Sequence, residues 1–216
     1  MKKLLFGLLF GSYGLLASVQ LYAGGLPGGG SELRQLLTNL NTLNTSFQQT
    51  VYSSDGTVVQ QTSGQLHAAR PGKVRWQTEP PMEQLLVSNG ETLWIYDPDL
   101  EQVTIKPFNQ DLSKTPAILF IGNLDTLEQS YTIYIEKVYI EQGEVVKFSL
   151  IPLADDSLYE KVALSFSGEI PTVMALWDSL GQKTDINFSN TTLNEPIDPA
   201  LFSFEPPEGV DILRDE

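Results

Sequence analysis

The chain has 216 residues, 41% of them apolar and 10% aromatic, enough to fold as one large domain and too apolar for global disorder. It carries 13 Lys and Arg against 27 Asp and Glu, a net charge of −14, which excludes nucleic acid and anionic headgroups as main partners because both need clustered cations. There is no Cys and a single His, so disulfides, zinc–thiolate sites and thiol nucleophiles are excluded as well.

Lys2 and Lys3 precede an apolar run over 4–16, and the small residue Ala23 stands where a signal peptidase would cut. The run is shorter than the roughly 20 residues a spanning helix needs. Residues 1–23 are expected to be a cleaved signal peptide, and its loss moves the charge from −14 to −16. A soluble, exported product suits a bacterial periplasm. Residues 24–30 (GGLPGGG) read as a flexible leader, and residues 31–216 as a single domain.

Ser31 has the character of an N-cap. Leu33, Leu36, Leu37, Leu40 and Leu43 then draw one apolar stripe at helical spacing, opposite Glu32, Arg34, Gln35, Asn39 and Asn41. From Phe47 the period changes to two. Asp55-Gly56 marks a hairpin between strands over 47–53 and 57–68. Further strands are expected over 73–78, 83–88, 92–96, 102–105, 131–139, 145–151, 161–166, 172–178, 183–190 and 202–204. Turn signals every 8–12 residues describe an antiparallel meander of about ten to eleven strands, without repeats or a βαβ rhythm.

One segment breaks the meander. Thr115, Pro116 and the apolar residues Ala117, Ile118, Leu119, Phe120 and Ile121 end at Gly122, which predicts a short helix with almost no polar side. Such a helix is buried in a core or closes over an apolar space. Interior-facing residues from the strands include Trp76, Leu86, Leu93, Ile95, Leu164, Phe166 and Met174. The expected fold class is α+β: an incomplete antiparallel barrel covered by short helices acting as a lid over an apolar hollow.

The chain offers no catalytic constellation. His67 lies in a strand-like run, and no Gly-x-Ser-x-Gly elbow accompanies it. Asp97, Asp99 and Glu101 bracket Pro98 as a turn, and Asp155-Asp156 reads as a solvated loop. No enzyme activity, cofactor or metal is expected. Arg70 stands before Pro71 at a strand end, six residues ahead of Trp76. Spacing alone leaves it either solvated or turned into an apolar space, where helix-end carbonyls could accept its hydrogen bonds.

Phe47-Gln48-Gln49, then Gly64 followed by Arg70-Pro71-Gly72-Lys73-Val74-Arg75-Trp76, resembles the hallmark of the LolA family of periplasmic outer-membrane lipoprotein carriers. Leu86-Val87-Ser88-Asn89-Gly90, Leu93-Trp94-Ile95-Tyr96-Asp97-Pro98, Thr115-Pro116 and Phe202-x-Phe204-x-Pro206-Pro207-x-Gly209-Val210 follow in the family's order, over roughly residues 32–212. The resemblance implies a monomeric chaperone that binds acylated lipoproteins released by an inner-membrane ABC-type complex and hands them to an outer-membrane receptor. A lipid-binding or lipoprotein-sensing module of the same half-barrel type is the alternative. It also implies ligand contacts at Arg70, Val74, Trp76, Leu86, Leu93, Ile95, Ile118, Leu119, Phe120, Leu164, Phe166 and Met174. Lid contacts are implied at Arg70, Pro116, Ala117, Ile118 and Leu119, with Arg70 holding the lid when the protein is empty. Val74 is smaller than the Phe often found at its position in the family.

Overall fold

A computed structural model describes residues 26–108, 119–140 and 143–214. The expected signal peptide, and lid residues Pro116, Ala117 and Ile118, lie outside the described residues. Among the described residues, thirteen strands form one sheet in the order β1-β8-β9-β10-β11-β12-β2-β3-β4-β5-β6-β7-β13. The strands are β1 (Leu26–Pro27), β2 (Thr42–Tyr52), β3 (Val58–Ala69), β4 (Lys73–Thr78), β5 (Gln84–Asn89), β6 (Thr92–Asp97) and β7 (Gln102–Pro107). They continue as β8 (Tyr131–Ile140), β9 (Gly143–Pro152), β10 (Tyr159–Ser167), β11 (Ile170–Asp178), β12 (Lys183–Leu193) and β13 (Asp211–Arg214). Among the described residues the α-helices are α1 (Gly30–Thr38) and α2 (Leu127–Ser130).

Neighbouring strands pair antiparallel except β13, which runs parallel to β7. The two ends of the sheet do not pair, so the barrel is incomplete. Turn chemistry fixes the long β2–β3 hairpin. The Asp55 carboxylate accepts from Ser53 Oγ at 2.7 Å and from the Thr57 amide at 2.9 Å, and Gly56 takes φ 85°. The same hydrogen bonds lower the Asp55 pKa to about 2.

Alternation places one residue in two on the concave face. Leu43, Thr45, Phe47, Leu66, Ala68 and Val74 point inward from β2 to β4, as do Ile133, Phe148, Leu150, Val162, Leu164, Phe166, Met174 and Ile186 from β8 to β12. Gly64 is required where Phe47 crosses the sheet. A Cβ there would lie 1.9 Å from the Gln77 carbonyl oxygen and 2.7 Å from the Phe47 ring. The space this leaves lets Phe47 stack on Trp76 with ring centroids 4.5 Å apart.

The structure corrects four expectations. The apolar stripe is only partly helical: α1 ends at Thr38, Leu40 lies in the link, and Leu43 sits on β2. Asn194, at φ 60°, accepts from the Asn41 amide at 2.8 Å and donates to the Asn39 carbonyl at 2.9 Å, so the helix stops there. Gly29 rather than Ser31 occupies the N-cap, and Leu26–Pro27 of the expected leader pairs with β8. The expected strand over 202–204 is a 3-10 turn at Pro199–Phe202 whose Asp198 carboxylate accepts the Ala200 amide. That turn packs on the convex side against β4 and β5, where Val87, Val103 and Phe202 are buried and Phe204 meets Tyr96.

Candidate functional site: a plugged concave face and its arginine clamp

Two pieces of chain fill the mouth of the half-barrel. The first is α1, which inserts Leu33 and Leu37, both fully buried. The second is the segment over 119–127 between β7 and β8, which adds Leu119, Phe120, Ile121, Leu124 and Leu127 to the same cluster. Phe120 meets Phe188 of β12 edge to face at 5.8 Å. An exposed ion pair, Arg34 to Glu128 at 2.8 Å, ties α1 to α2, which follows directly on this segment. The hollow expected from the sequence is therefore occupied by the protein's own leucines, isoleucine and phenylalanine.

Arg70 fastens this plug. Its Nε donates to the Leu40 carbonyl at 3.1 Å, its Nη2 to the Leu119 carbonyl at 2.9 Å, and its Nη1 to the Gly122 carbonyl. One guanidinium thus ties the link after α1 to both ends of the 119–122 turn. The backbone repeats the pattern: the Arg70 amide donates to Asn41 and the Gly72 amide to the Ile121 carbonyl at 3.0 Å. Gly72 makes its turn at φ 72°, and a Cβ there would strike the Gly90 Cα at 2.8 Å. Burial pushes the Arg70 guanidinium down to about 10, so it stays charged at neutral pH. Among the described residues its partners are carbonyls alone, with no carboxylate.

The structure brings most of the expected site residues together. Val74, Leu119, Phe120, Leu164, Phe166 and Met174 belong to the central cluster, with Trp76 and Leu86 packed against it. Leu93 and Ile95 face the same side on β6 but lie beyond that cluster, beside Lys106 and Thr104 of β7. Phe148, fully buried against Phe166, was missed, although the alternation of β9 (Val146, Phe148, Leu150) carries the signal. The backbone acceptors at Leu40 and Gly122 were also missed, since carbonyls leave no mark in a sequence. His67 lies on the convex face across from Arg75, away from the plug. Burial and the Arg75 charge lower its pKa.

Residues 38–205 match the family described as Outer membrane lipoprotein carrier protein LolA. An outer-membrane lipoprotein carrier protein of Azotobacter vinelandii is 43% identical over 183 residues, covering 85% of this chain and 86% of its own. One from Pseudomonas aeruginosa has the same identity and coverage. A crystal structure of a LolA superfamily protein from Nitrosomonas europaea covers 81% of this chain and 97% of its own, at 13% identity and a TM-score of 0.47.

Proposed function

Because the chain belongs to the LolA family of outer-membrane lipoprotein carriers, we propose that it binds the acyl chains of lipoproteins on the concave face of its half-barrel and carries them through the periplasm. Cargo arrives from an inner-membrane ABC-type releasing complex and leaves to an outer-membrane receptor, with the carrier acting as a monomer. No bond is made or broken; the work is solvation of acyl chains in transit. The observation that carries this reading is the plug. The concave apolar face is covered by α1 and the 119–127 segment rather than by closing strands, and Arg70 fastens them through carbonyls alone.

Energetics fit a carrier. Three chains of about 15 methylenes, each contributing about 0.8 kcal/mol on burial, amount to about 36 kcal/mol gross. Non-covalent affinity saturates near about −18 to −21 kcal/mol. A carrier that buried all of it without opposition would never release. Displacing the plug opposes binding: its buried leucines lose partners, and the Arg70 bonds, about 1.5–3 kcal/mol each, are broken. Closing the plug again makes delivery downhill.

The test is retention of a triacylated lipoprotein against the same polypeptide made without its lipid. The acylated form should co-elute with the carrier and the unacylated form should not. Equal retention of both, or of neither, contradicts the proposal.

A further inference from the structure

The concave face is not apolar along its whole length. At the end of β2 to β6 farthest from Arg70, the inward positions turn polar together: Gln49, Thr62, Thr78, Gln84 and Asp97. One step nearer Arg70 on the same strands stand Phe47, Trp76, Leu86 and Ile95. A pocket of about 330 Å³ opens at this polar end, where Gln60 also lines it and Trp76, Met82 and Leu100 form its apolar side.

One of its donors is unused. The Thr62 hydroxyl is buried without a hydrogen-bond partner, in a residue only 9% exposed. A buried hydroxyl without a partner is costly, which makes it a site for an acceptor. The side-chain amides of Gln49 and Gln60, both half-buried, line the same pocket and add donors beside it. Thr78, by contrast, is satisfied by the Met82 and Gln84 carbonyls. The charges present are all of one sign: Glu83, Asp97 and Asp99 line the pocket and no cation does.

From this juxtaposition we infer that the pocket is a head-group subsite selecting uncharged diacylglyceryl groups over phospholipids. The inference rests on the carrier reading above and adds its specificity. Thr62 and the two glutamines donate to ester and amide carbonyls of the lipid anchor. The acyl chains run from there onto the apolar face toward the plug. The three carboxylates repel a phosphate placed at the same depth.

The experiment offers the full-length chain two probes in equal amount in mixed micelles. One is the uncharged N-palmitoyl-S-dipalmitoylglyceryl-cysteine amide; the other is dipalmitoylphosphatidylglycerol. Bound lipid is counted by mass spectrometry. The wild type should enrich the uncharged lipid. Raising salt from about 0.05 to about 0.5 M should erode that preference by screening the rim, a reading that needs no variant. The combined change Glu83→Gln, Asp97→Asn, Asp99→Asn should raise phosphatidylglycerol uptake several-fold. Thr62→Val, which keeps the side chain's shape, should weaken the uncharged lipid about fivefold while leaving the melting temperature unchanged or higher. Equal uptake of both lipids by the wild type, or a preference that neither salt nor these substitutions move, overturns the subsite. If neither lipid binds, the carrier reading itself fails.

Discussion

Arg70 carries a charge into a half-buried position and receives only carbonyl dipoles in return. A carboxylate partner would hold the plug more tightly and would itself be left buried when the plug opened. Carbonyls instead return to water or to other donors once released. Arg70→Leu removes three charge-assisted hydrogen bonds, a loss offset in part because a charge no longer has to be desolvated, so the empty protein should lose about 1–4 kcal/mol of folding stability. Delivery should slow as well: the half-time of cargo transfer to receptor-containing membranes should lengthen several-fold. Arg70→Lys, a point charge unable to span three carbonyls, should fall between. His67 gives the pH dependence. Its folded-state pKa lies below the ordinary 6.5, so the unfolded chain binds the proton better. Stability is therefore lost as pH falls through that ordinary value and levels off below the folded value. Melting curves at about pH 7.5 and 5.5 should show a drop in the wild type that His67→Gln reduces.

The elements divide into those that compete with cargo and those that support it. Leu37 of α1 is fully buried in the plug. Leu37→Ala should cost the empty protein about 2–5 kcal/mol and should also tighten cargo binding, because the state opposing cargo is weakened. Gly64→Ala forces a methyl into the Gln77 carbonyl and the Phe47 ring and damages the platform on which cargo lies. It should destabilise by about 1–3 kcal/mol without tightening cargo. Calorimetry paired with an acyl-lipopeptide titration separates the two. The strands were legible because alternation and Asn-Gly or Asp-Gly turns are local signals. The end of α1 was not. Leu40 and Leu43 continue the helical spacing, and the residue that stops the helix, Asn194, is over 150 positions away in sequence. The Arg-Pro-x4-Trp pattern pointed to Arg70, but its three acceptors belong to backbone set in place by tertiary folding.

At the scale of the molecule, the half-barrel stays open because the plug and the convex cover each do part of what closing strands do elsewhere. The 3-10 turn at Pro199–Phe202 and Phe204 shield Val87, Val103 and Tyr96 on the outside. Phe202→Ala should cost about 3–5 kcal/mol, measured by denaturant melts, and leave the cargo preference unaltered because the concave side is untouched. A net charge of −14 disfavours adhesion to anionic membrane surfaces. On the carrier reading, the plug leaves the concave face when acyl chains enter. The Gly72 amide reports this directly, since its partner is the Ile121 carbonyl of the plug and an acyl chain offers no acceptor. Hydrogen exchange at Gly72 should accelerate on loading with a triacylated lipopeptide while the β2–β3 ladder stays protected. Unchanged or slower exchange at Gly72 in the loaded protein contradicts the account.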